Sequence, residues 1–132
     1  EIPKGIKNCV HDLGFIDIED KYKAYANAVT LVQPSINESF SIVIMESWLT
    51  ERPVIVNNNC EVTKNFAIES NGGLYFNNYF EFEEILKFYI CNPNIANKMG
   101  KNGEKYVLKN FDKKIVTKKY IDFFKKLVGE KN

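Results

Sequence analysis

Arginine and histidine are nearly missing from this sequence: Arg52 is the one arginine and His11 the one histidine among 132 residues. A histidine-built metal site is therefore excluded, since such sites draw on several imidazoles at fixed spacing. The three cysteines, Cys9, Cys60 and Cys91, are odd in number, widely spaced and never in a C-x-x-C pair. That argues against a disulfide framework and a zinc knot, and leads to an expectation of three reduced, mostly buried thiols in a cytoplasmic protein. Neither G-x-x-x-x-G-K nor G-x-G-x-x-G occurs, so the P-loop and dinucleotide readings lack their phosphate loops. No apolar run is long enough to span a bilayer, and no signal-peptide pattern is present. The net charge is only +1. No basic patch is dense enough for a phosphate backbone, so nucleic acid is not an expected partner. Asn37-Glu38-Ser39 fits the N-glycosylation pattern, but nothing secretory accompanies it.

What is present is a compact alternation of short apolar runs and amphipathic stretches. Val10–Phe15 is a candidate first strand ending at Gly14. Residues 18–27 read as a helix with acidic residues at its start. Val29–Val32 is a β-prone run closed by Gln33-Pro34-Ser35, and residues 39–50 show helical spacing. Pro53–Val56 is a second run, with proline at the first position, where a strand tolerates it. A weaker helix over 61–70 is closed by Asn71-Gly72-Gly73. Leu74–Phe76 follows as a core strand. Phe82, Ile85, Leu86 and Tyr89 recur at helical spacing. Pro93 after Asn92 opens another helix, and Asp112 caps the last one, about 112–128. Gly100-Lys-Asn-Gly103 lies inside a helical pattern and reads as a helix joint, not a nucleotide loop. Strands alternating with helices imply an α/β, Rossmann-like parallel sheet with helices on both faces. Continuous apolar runs suit strands buried on both sides. The whole chain reads as one domain, 1–132.

The stretch from Pro34 to Glu46 carries the chemistry. A strand ends, a polar loop follows and a helix begins at the strand's carboxyl end, where open α/β sheets bind ligands. Unpaired amides and partial positive charge at a helix start suit a phosphate. Ser39 and Ser41 are small enough for close backbone approach to an anion. Glu38 and Glu46 stand eight apart, which places them roughly 12 Å apart along the axis if both are helical. Such carboxylates suit hydroxyl-rich groups, because they accept hydrogen bonds strongly. Taken alone, two glutamates eight apart are usually solvated surface. Cys60 reads as a packing residue, and His11, with no convergent partner, as a surface residue.

The pair does not stand alone. Pro34-Ser35, Glu38 and Glu46 as E-x7-E, and Pro53-Val54 fall at the spacing of a known signature. Leu13-Gly14-Phe15, Tyr25-Ala26-Asn27-Ala28, Gly72-Gly73-Leu74 and Asn97–Gly103 add to the set. Together they resemble the C-terminal donor-binding domain of glycosyltransferase family 4, which has the GT-B fold, over about Val10 to Tyr120. The resemblance implies a retaining transfer of a sugar from a nucleotide diphosphate donor to a glycan, lipid or other acceptor, with no essential metal and no cofactor beyond the donor. It implies that Glu46 holds the donor's ribose hydroxyls and that Glu38 lies by the donor sugar and the reaction centre as the catalytic carboxylate. It implies that Ser39, Phe40 and Ser41 hold the diphosphate through backbone amides, with Ser35 at the edge of the donor site.

The sequence departs from that family in two ways. Ser39, Ser41 and Glu51 stand where it often has glycine, which puts the end of the helix before Glu51 in doubt. Its first two strands, with a basic pair for the diphosphate, have no counterpart before Val10. Nor is there a trace of the N-terminal domain that holds the acceptor and onto which the last helix reaches back. The expectation is a domain truncated at its start and inactive alone. Its Val29–Val32 edge would be left open for Val10–Phe15 or for self-association, and the full-length enzyme would be free to sit peripherally at the inner face of a membrane. The competing reading is a non-catalytic nucleotide-binding or protein-interaction remnant of the same fold.

Overall fold

The computed structural model describes residues 3–129. A short 3-10 helix, Lys4–Cys9, leads through an irregular stretch into α1, Ile18–Asn27. There follow β1 (Leu31–Gln33), α2 (Ile42–Leu49), β2 (Val54–Asn57), α3 (Glu61–Ser70), β3 (Gly73–Phe76), α4 (Tyr79–Cys91), α5 (Pro93–Phe111) and α6 (Lys113–Leu127). The three strands form one parallel sheet in the order β1-β2-β3. Leu31 pairs with Val54, and Val54 with Gly73. This is the α/β, Rossmann-like open sheet that the alternation of elements implies.

The central strand shows why the sheet needs helices on both faces. Val54, Ile55 and Val56 are all fully buried. Because successive strand residues point to opposite faces, Val54 and Val56 enter one core with Ile44, Met45, Trp48, Ala67 and Val107. Ile55 enters the other, with Tyr89, Ala96 and Met99. Phe40, Phe66, Tyr106 and Phe111 border the first core as a set of edge-to-face rings, with Phe40 centred 5.4 Å from Phe66 and 5.1 Å from Phe111. Trp48 is completely buried and donates its indole N–H to the Gly72 carbonyl at 2.9 Å, which satisfies the one polar atom such a ring brings into a core. The outer strands are only partly covered, so burial on both sides holds for β2 alone.

Several expectations need correction. No strand forms over Val10–Phe15, and nothing from that stretch pairs with β1. The reason is local: the Gly14 amide donates to Asp12 Oδ1 at 2.9 Å and Gly14 takes φ 54°, a side-chain turn that breaks extended pairing. The strand placed at Val29–Val32 is Leu31–Gln33, and among the described residues it pairs only with β2. The helix placed at 39–50 starts at Ile42, because Ser41 turns left-handed (φ 64°) immediately before it. Gly100 and Gly103 mark no joint, since α5 runs unbroken through both. Two of the three free cysteines, Cys9 and Cys91, are exposed, and only Cys60 is buried.

Candidate functional site

At the carboxyl ends of β1 and β2 the chain opens a cleft of about 460 Å³. One wall is the loop after β1, with Ile36, Asn37, Glu38 and Ser39. The other is the start of α3, with Asn59, Cys60, Glu61 and Val62. The helix α3 begins at the cleft and α2 begins just after the Glu38–Ser39 wall, and neither has a side-chain cap: Ser41 before α2 and Cys60 before α3 make no cap hydrogen bond. First-turn amides without a cap are the groups an anion can use.

Gln33, the last residue of β1, organises the first wall. Its Nε2 donates to Glu38 Oε1 at 3.0 Å and to Ser41 Oγ at 3.3 Å, and its Oε1 accepts from the Ser35 amide at 3.5 Å. Asn57, the last residue of β2, donates from Nδ2 to the Pro34 carbonyl at 3.1 Å and ties the two walls together. Glu38 is thus held in a loop and not on the helix, so the spacing of roughly 12 Å expected for two helical carboxylates does not apply.

Glu46 has a different setting. It lies inside α2, and it does not line the cleft beside Glu38. Its side chain is only 15% exposed, and its Oε1 accepts from Lys21 Nζ of α1 at 2.6 Å. Tyr25, one turn further along α1, directs its hydroxyl to Oε2 at 3.4 Å. The bond to Glu46 raises the Lys21 ammonium above its ordinary value. Burial first, and then the charge of Glu46, raises the Tyr25 phenol.

The remaining site residues divide. Ser39 lines the cleft. Ser41 is buried against Gln33, and the Phe40 ring belongs to the aromatic border of the core, so only its backbone remains for a ligand. Ser35 lies in the loop, held through its amide. Arg52 precedes β2 and so lies at the opposite end of the sheet. Among the described residues no three His, Cys, Asp or Glu side chains gather as metal ligands, and no helix is long and apolar enough to cross a membrane.

A cleft at the carboxyl ends of two parallel strands, walled by a Pro-Ser-x-x-Glu loop, is compatible with many ligands. Comparison with known families narrows it: the family model "Glycosyl transferases group 1" matches residues 3–106. The chain belongs to the group 1 glycosyl transferases. The match takes in both walls of the cleft and ends within α5, leaving α6 outside it. Glycosyl transfer is the chemistry of that family.

Sequence reasoning missed Lys21, Gln33, Asn57 and Asn59, and set Cys60 and Glu61 on the ligand side of the sheet without a role for Glu61. Two signals were available. Gln33 and Asn57 are polar residues ending apolar strands at the end where ligands bind, and Lys21 and Tyr25 share one helix face at i, i+4.

Proposed function

We propose that this chain is the donor-binding part of a retaining, GT-B-type glycosyltransferase of family 4, which takes its sugar from a nucleotide diphosphate donor. The observation that carries the reading is the Glu38 loop: Gln33 orders it at the carboxyl end of β1, beside two uncapped helix starts. In this reading the diphosphate lies at the start of α2, against the backbone of Ser39, Phe40 and Ser41, with Ser35 at the edge. Fixed amides aimed at the diphosphate stabilise the charge that grows on it as the sugar departs. Glu38 faces the sugar and the reaction centre, and Glu46 accepts hydrogen bonds from the ribose. The acceptor is held by the N-terminal domain that the resemblance implies. No metal is expected, because helix-start amides bear part of the diphosphate charge.

The test is paired and uses the intact protein. Glu46→Ala should weaken donor binding by about 1.5–3 kcal/mol, the scale of a hydrogen bond to a charged group, and Glu46→Gln should do less harm. Glu38→Ala should lower kcat more than it weakens nucleotide binding, because it addresses the sugar. Unchanged donor affinity in Glu46→Ala, or a purely nucleotide-binding defect in Glu38→Ala, would remove that residue from its role.

A further inference from the structure

The ion pair between Lys21 and Glu46 differs from the others among the described residues. Lys23 and Lys87 pair with acids one turn away on their own helices, on exposed surface, and Lys101 stands 3.8 Å from Glu51. Exposed pairs of that kind contribute little. Lys21–Glu46 bridges two helices over 25 residues of sequence, is the shortest of the set at 2.6 Å, and involves the least exposed carboxylate.

A carboxylate offers about four acceptor positions on its two oxygens. Lys21 engages Oε1 of Glu46 closely, whereas Oε2 receives only the Tyr25 hydroxyl at 3.4 Å, beyond the usual range for an O–H donor. The carboxylate is therefore oriented through Oε1, and Oε2 is held less closely. An ionised lysine fixed at Oε1 limits the rotation of Glu46 and turns a flexible side chain into a preorganised acceptor. The two α1 side chains that achieve this, Lys21 and Tyr25, are one helical turn apart and share a face.

We infer that Lys21 is a positioning residue for ribose recognition: it holds Glu46 so that Oε2 meets the ribose hydroxyls, and so lets the site distinguish ribonucleotides from 2′-deoxyribonucleotides. This rests on the donor-site reading of Glu46 given above. A vicinal diol supplies two O–H donors, and removal of the 2′-hydroxyl forfeits one of them. An acceptor left free to rotate would gain less from that hydroxyl.

The experiment is calorimetric titration of the intact protein with ADP, GDP, CDP and UDP and with their 2′-deoxy forms. The tightest ribonucleotide and its deoxy partner serve as the probe pair. Lys21→Met should weaken the ribonucleotide by about tenfold and leave the deoxy form nearly unchanged, so the ratio between them collapses. Lys21→Arg, which keeps the charge and the donor, should restore most of it. Binding of the deoxy form reports that the variant is folded, and Lys21→Gln replaces the Met variant if that binding is lost. If Lys21→Met and Lys21→Gln weaken both forms equally, or keep the ratio, Lys21 only staples α1 to α2 and the inference falls. Glu46→Ala separates the two ideas. Loss of discrimination there, with discrimination kept in Lys21→Met, overturns the role of Lys21 alone. Discrimination kept in Glu46→Ala overturns the ribose role of Glu46, and that of Lys21 with it.

Discussion

Two residues flanking α2 hold a backbone shape that suits glycine. Ser41, before the helix, has φ 64° and Glu51, after it, has φ 58°, a region that costs a side-chain-bearing residue about 1–2 kcal/mol. Glu51 is exposed, with only a 3.8 Å contact to Lys101 to lose. Glu51→Gly should therefore raise the free energy of unfolding by roughly 0.5–1.5 kcal/mol in a denaturant titration. No gain would mean that the turn relaxes to suit glutamate. Ser41 is the harder case, because its Oγ accepts from Gln33 and its loss loosens the Glu38 loop. A second residue-scale test concerns Tyr106, whose hydroxyl donates to Glu69. Burial first, then Glu69, pushes its pKa up from 10.0 to about 12. A phenol held neutral in the fold contributes stability that is complete below its unfolded value and is lost as pH rises through the folded one. Stability should fall between pH of about 10 and about 12, and Tyr106→Phe should flatten that part of the profile. An identical alkaline profile in the variant would assign the loss to other groups.

At the scale of elements, α5 shows how far periodicity reads and where it stops. Its apolar spacing and Pro93 mark a helix, and Ala96, Met99 and Val107 do face the core. The glycines read as a break, because glycine weakens a helix by about 1 kcal/mol relative to alanine. In the fold they are where α5 crosses α2. A Cβ on Gly100 would strike the Glu51 carbonyl, and one on Gly103 would strike the Trp48 ring. Trp48 is fully buried and pinned by its bond to Gly72, so it has little room to yield. Gly103→Ala should accordingly cost about 1–3 kcal/mol by overpacking, despite its better helix propensity. A neutral or stabilising result in thermal unfolding would mean that the crossing yields to a methyl group. The same limit explains Val10–Phe15. Its apolar residues resemble a strand, but an isolated strand has no partner for its amides, and the Asp12–Gly14 turn takes over.

For the whole molecule, the open side of β1 is the feature with consequences. Gln33 organises the candidate site, and the strand that carries it is an edge strand, as β3 is on the other side of the sheet. Val32 is 37% exposed there, on the sheet face that Ile55 shares through their pairing. Unpaired edges template pairing with other chains. We expect the 132-residue chain to associate with rising concentration in sedimentation velocity, and Val32→Lys to suppress this, because an edge lysine opposes pairing. A chain that stays monomeric throughout would show that the edge is protected.

The sequence by itself determined the element order from α1 to α6, the parallel α/β architecture and the Pro-Ser-x-x-Glu loop at a strand's carboxyl end. These follow from local periodicity, turn chemistry and short motifs, all of which act within a few residues. Only the tertiary structure decided the rest: that Glu38 sits in an ordered loop under Gln33, that Glu46 is held by Lys21 across two helices, and that the glycines of α5 make a crossing. Gln33 and Glu38 are only 5 apart, but the loop that joins them has no periodicity to read; the other two join residues far apart in the chain, 25 in the case of Lys21 and Glu46. Such pairs form only when packing brings their elements together, and no local pattern encodes that distance.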